Sequence, residues 1–114
     1  MGLEPTTIDG ITIITLPKRF DIDSVPFIEN ELRQIRTADP RRVLFDFSGT
    51  EYISSAGMRL LIGSLRSIRE NGGTIALSTL CRQVMYIFEI SGFDKIFTIY
   101  ETREKALKKM KKNA

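Results

Sequence analysis

The chain has 114 residues, 42% of them hydrophobic and 27% charged, with a formal net charge of +3; this is ordinary composition for one globular domain with an apolar core. It holds no histidine and one cysteine, Cys81, which excludes Ser-His-Asp catalysis, histidine-ligated zinc, an intramolecular disulfide and a cysteine metal cluster. No uncharged apolar run suits a membrane span and the N-terminus lacks a charged-then-apolar signal pattern, so the expectation is a cytoplasmic, single-domain protein over 1–114, without metal or cofactor.

In chain order, "LEPTTI" and "ITIITL" flank Asp9-Gly10, a type I′ turn signal, and predict a hairpin whose first strand is an edge because of Pro5. "DSVPFIENELRQIRTAD" predicts a first helix, capped by Asp23 or Ser24, with Pro26 in its first turn and Pro40 beyond its end. Val25, Ile28, Leu32 and Ile35 recur at spacings of three and four and give that helix one buried face. "RRVLFDFSG" reads as a central strand, with Val43, Leu44, Phe45 and Phe47 covered on both sides. A loop from Gly49 to Ile53 then leads into a second helix, from about Ser55 to Asn71, with Met58, Leu61, Leu65 and Ile68 as its core stripe and Gly72-Gly73 as its stop.

"TIALSTL" is the next strand. "RQVMYIFEIS" is a third helix, buried through Val84, Ile87, Phe88 and Ile90 and closed by Gly92. "KIFTIY" is the last strand, and Thr102 can cap a terminal helix whose apolar face is Ala106, Leu107 and Met110. The basic residues of that helix, Arg103 to Lys112, read as a solvated face; they lack the aromatic interleaving of a single-strand binder, so no direct nucleic-acid contact is expected. The order β-β-α-β-α-β-α-β-α implies an α/β fold: a small mixed sheet, mainly parallel with an antiparallel edge hairpin, flanked by about four helices.

The chemistry concentrates at "EYISSAGMRLL", where a parallel strand hands over to the second helix, the place where open α/β sheets carry sites. Read from the residues alone, Ser54 or Ser55 is a helix cap. A nucleophilic serine has no support, because Gly-x-Ser-x-Gly, Ser-x-x-Lys and any histidine are absent. The loop also lacks the Gly-x-x-x-x-Gly-Lys frame of a P-loop, and scattered carboxylates such as Asp21 and Asp46 do not make an enzyme.

"VLFDFSGTEYISSAGMRLLIGSLRSIRENGGTIALSTL", followed by "VMYIFEISGFDKIFTIYETREKAL", resembles the STAS domain of bacterial anti-sigma factor antagonists. The resemblance covers nearly the whole chain, and the order and spacing of its motifs make it specific. It implies a partner-switching binding module. The unmodified protein engages a serine-kinase anti-sigma factor, phosphorylation of one serine at the start of helix two ends that binding, and a serine phosphatase restores it. In the family pattern that serine follows an Asp and stands two places before Gly-Leu. Here Gly57-Met58 takes the place of Gly-Leu, so the matching serine is Ser55, with Ser54 the alternative acceptor because it occupies the Asp position. Ala56 stands where Ser or Thr is frequent, and Asp21 matches an acidic residue after the second strand. The implied partner-binding surface comprises Asp21, Thr50, Tyr52, Ser54, Ala56, Arg59, Ile62 and Arg66. Similar domains also serve as subunits of transporter or sensory complexes without serine phosphorylation, which is the alternative role.

Overall fold

The computed structural model describes residues 5–37 and 41–112. Strands β1 (Thr6–Ile8) and β2 (Ile11–Thr15) pair antiparallel around Asp9 and Gly10, whose φ of 52° and 78° are the two positive values that a type I′ turn requires. Among the described strands β1 pairs with β2 alone, and it is exposed throughout, as an edge strand behind Pro5 should be. Helix α1 spans Val25–Thr37; Pro40, its expected terminator, lies outside the described residues. Strand β4 (Arg42–Asp46) pairs parallel with β2 on one side and β6 (Thr74–Ser78) on the other, which puts Val43, Leu44 and Phe45 in the middle of the sheet. Helix α2 (Ser55–Glu70) joins β4 to β6, and helix α3 (Arg82–Ser91) joins β6 to β7 (Thr98–Tyr100), which pairs parallel with β6.

The five-stranded sheet has the order β1-β2-β4-β6-β7. From β2 onward the strands are added in one direction, so connections of one hand place α1, α2 and α3 on one face. The core follows. Val43, Phe45, Ile75 and Leu77 pack with the stripes of those helices, whereas the alternate residues Ile11, Ile13, Leu44 and Ala76 face α4 (Arg103–Lys112) through Ala106 and Met110. Phe88 anchors the larger core, with its ring edge-on to Phe47 at 6.0 Å and to Phe93 at 6.2 Å.

Four expectations change. The segment between β4 and α2 is not simply a loop. Strand β5 (Tyr52–Ile53) pairs parallel with strand β3 (Arg19–Phe20) in a separate two-stranded sheet. Neither Asp23 nor Ser24 caps α1 with its side chain. The Ser24 hydroxyl turns back to donate to the carbonyl of Arg19 (2.9 Å), while Asp21 Oδ1 receives the amides of Asp23 (3.1 Å) and Ser24 (3.3 Å) and shapes the approach to the helix. Ile90 is 64% exposed, because Val84 and Phe88 fix the inward face of α3 and Ile90 is turned well away from both. The last strand starts only at Thr98; a 3₁₀ turn at Phe93–Lys95 precedes it and feeds Phe93 and Phe97 to the ring cluster.

Candidate functional site

The two serines of "EYISSAGM" have different jobs. Ser54 is extended, with φ −95° and ψ 173°, and its side-chain oxygen accepts the amide of Gly57 at 3.3 Å while its carbonyl accepts the amide of Met58 at 2.9 Å. It is the N-cap of α2. Ser55 is the first helical residue, exposed, and its hydroxyl is not used by the cap. At positions one and two of a helix, the amides of Ser55 and Ala56 have no helical carbonyl a turn behind them, and the positive end of the helix dipole lies there. No acidic residue stands in the first turn of α2, and Arg59 lies one turn on.

The small sheet fixes this end of α2. Strand β3 faces β5 with Arg19 opposite Tyr52 and Phe20 opposite Ile53, and the Ser54 amide donates to the Phe20 carbonyl at 2.9 Å. Gly57 makes the approach possible, since a Cβ there would sit 2.7 Å from that same carbonyl oxygen. The Arg19 guanidinium lies over the Tyr52 ring at 4.4 Å and its Nε reaches Asp21 Oδ2 at 3.4 Å.

Beside Ser55 opens an apolar groove of about 640 Å³ between the starts of β5 and α2 and the end of α3. Tyr52, Ser54, Ser55, Arg59 and Ile62 all line it, so five of the residues singled out in the sequence come together there. The others do not. Thr50 is buried, and its hydroxyl donates to the Pro17 carbonyl at 2.9 Å, so it braces the loop from inside rather than offering a side chain outward. Asp21 is half-buried and already holds two amides and a guanidinium. Ala56 lines a different trough, between α1 and α2, which Arg59 also borders, and Arg66 is exposed further along α2. The groove also takes Ile87, Ser91 and Phe93 from α3 and the turn after it. In the sequence Ile87 reads as helix core and Ser91 as a helix end, and nothing local connects residues so distant along the chain to the start of α2. Asp46 belongs elsewhere. It is buried at the end of β4, with Oδ1 accepting the Ser48 amide at 2.9 Å and Oδ2 3.6 Å from Arg103 of α4, on the opposite face of the sheet.

Among the described residues no helix is long and apolar enough to cross a membrane. The family model of the STAS domain matches residues 3–106. A Bordetella bronchiseptica protein named as an anti-sigma factor antagonist, BtrV, is 35% identical over 106 residues, covering 93% of this chain and 91% of its own. A Thermotoga maritima structure described as an anti-sigma factor antagonist superposes with a TM-score of 0.84 at 20% identity, over 92% of this chain and 91% of that one. The Bacillus cell fate determinant SpoIIAA in its phosphorylated form gives 0.72 at 18% identity, over 92% and 95%. The last two share the fold. With the family model and the Bordetella relative both spanning most of its length, the chain is a STAS-domain protein of the bacterial anti-sigma factor antagonist family.

Proposed function

We propose that this chain is an anti-sigma factor antagonist that binds a serine-kinase anti-sigma factor when unmodified, is released when the kinase phosphorylates Ser55, and is reset by a serine phosphatase. The observation that carries the reading is the division of labour at the start of α2: Ser54 is committed to the cap and Ser55 is exposed beside an apolar groove. The same division favours Ser55 over Ser54 as acceptor. A phosphate on Ser54 would be built on the oxygen that already accepts the Gly57 amide and would crowd that bond, whereas a phosphate on Ser55 leaves the cap in place.

The physical logic of the switch is local. Phosphorylation adds a charge of about −1.5 to −2 at neutral pH, and the helix N-terminus can hold it without unfolding the domain. A partner seated over the groove, against Tyr52, Arg59 and Ile62, would have to desolvate that charge. Left unpaired, it costs several kcal/mol, and each 1.4 kcal/mol is about tenfold in affinity. The name of the Bordetella relative supports the antagonist role, and the groove supports a contact surface around Ser55.

Two measurements test the reading. Incubation with the cognate kinase and ATP, followed by mass spectrometry of the peptide containing residues 51–61, is expected to place one phosphate on Ser55; a phosphate on Ser54 alone would reassign the acceptor. Binding to the kinase should be retained in Ser55→Ala and weakened about a hundredfold in Ser55→Asp. A Ser55→Asp protein that binds as tightly as wild type would refute the switch.

A further inference from the structure

Among the described residues that line the groove beside Ser55, Arg59 alone carries charge; the others are apolar, aromatic or hydroxyl-bearing. Arg59 is exposed and, among the described residues, forms no ion pair. It also borders the trough between α1 and α2, where Glu29 is the one carboxylate on the lining, and the two do not pair. Arg19 is placed differently. Its guanidinium is held by Asp21 Oδ2 at 3.4 Å and by the Tyr52 ring at 4.4 Å. Of these two guanidinium groups, one is engaged and the one on the helix of Ser55 is not.

The helix itself sets the reach. Ser55 and Arg59 stand four residues apart in α2, which puts their Cβ atoms about 5–6 Å from one another on one face. Side chains on a helix lean toward its N-terminus, so Arg59 covers the turn that Ser55 begins. An anion with a cation four residues further on is the favourable order for such a pair. Unmodified Ser55 gives Arg59 no charge to meet. A phosphoserine does, and its oxygens match the donor fork of a guanidinium. Arg66, exposed on the same face, is three turns further on, about 16 Å along the axis.

We propose that Arg59 is the intramolecular partner of the phosphate on Ser55, and that their pairing turns a groove with one positive charge into one with a net negative charge. This deepens the switch described above and rests on its choice of Ser55. With a phosphate charge of about −1.5 to −2, the pair keeps a net charge of about −0.5 to −1. A partner that meets a free guanidinium on the unmodified chain then meets the opposite sign, with that guanidinium already taken up.

The test places phosphoserine at position 55 of the full chain by genetic encoding, so that no kinase is involved, and follows its second ionisation by phosphorus NMR. A paired Arg59 favours the dianion. The titration midpoint with Arg59 present should therefore lie below that of Arg59→Gln by about 0.3 pH unit or more. Arg66→Gln removes the same charge from the same face, beyond a Debye length, and should leave the midpoint within about 0.1 pH unit of its original value. Arg59→Lys keeps a charge without the fork and should fall between the original chain and Arg59→Gln. Equal shifts in Arg59→Gln and Arg66→Gln, no shift in either, or an Arg59→Lys chain that titrates like Arg59→Gln would each overturn the pairing. A kinase that modifies Ser54 instead would overturn the choice of Ser55 without moving these titrations, so the two ideas fail separately.

Discussion

Gly57→Ala and Gly63→Ala are the same chemical change in the same helix, and the structure gives them opposite signs. At Gly57 the new methyl would lie 2.7 Å from the Phe20 carbonyl oxygen, 3.0 Å from Ile53 Cγ1 and 3.2 Å from Phe20 Cγ. Two of these belong to a backbone carbonyl and a ring root on β3, which cannot rotate out of the way. The start of α2 must therefore lift off the small sheet, lengthening the bond from the Ser54 amide to Phe20. Overpacking of this kind costs about 1–3 kcal/mol, and the better helix propensity of alanine returns roughly 0.5–1 kcal/mol. The net expectation is a loss of about 1–2 kcal/mol, or roughly 4–8 °C in Tm for a domain of this size. At Gly63 no atom lies within 4 Å of the methyl, so only the propensity gain of about 0.5–1 kcal/mol remains. Urea unfolding followed by circular dichroism measures both. If the two variants shift the midpoint in the same direction by the same amount, the close packing of Gly57 on β3 is wrong.

Other substitutions separate the roles of neighbouring residues. Ser54→Ala removes the α2 cap and should cost about 1 kcal/mol, whereas Ser55→Ala should change stability by less than about 0.5 kcal/mol; equal losses would contradict the assignment of Ser54 as the cap. Thr50→Val keeps the shape of a buried residue but leaves the Pro17 carbonyl without its donor, so a loss of about 1–3 kcal/mol is expected in denaturant melts, and an unchanged midpoint would argue against that bond. Asp46→Ala should cost about 1–3 kcal/mol through the Ser48 amide; because Arg103 is 37% exposed, added salt should alter the difference only slightly, and a strong salt dependence would mean that the ion pair dominates.

Much of the architecture was legible because local chemistry agreed with the tertiary fold. Asp9-Gly10 set the hairpin, and the stripe Met58, Leu61, Leu65 and Ile68 set the buried face of α2. Gly72 and Gly92, at φ 80° and 79°, closed α2 and α3 where the sequence put their ends. The pairing of β3 with β5 was hidden because two-residue strands carry no periodicity, and their partners come from distant parts of the chain. The orientation of Thr50 was hidden for a related reason: a polar residue in a loop reads as outward, and only the fold reveals the Pro17 carbonyl waiting beneath it. At the site, the residues alone left Ser54 and Ser55 as equal candidates for the cap; the family resemblance set Ser55 ahead as the acceptor, and the cap bond shows that Ser54 is the N-cap. Ile87 and Phe93 joined the groove through the packing of α3 against β5, which no short-range signal encodes.

The pair of two-residue strands has a mechanical consequence. Strand β3 runs directly into the Asp21 turn that opens α1, and β5 runs directly into the Ser54 cap that opens α2, so one short ladder sets the spacing between two helix starts. A protein that grips both openings at once would be measuring a fixed span rather than a flexible one. Loosening that ladder would blur the span without altering any residue on the surface being gripped. Recognition could then fade while every contact side chain stayed in place.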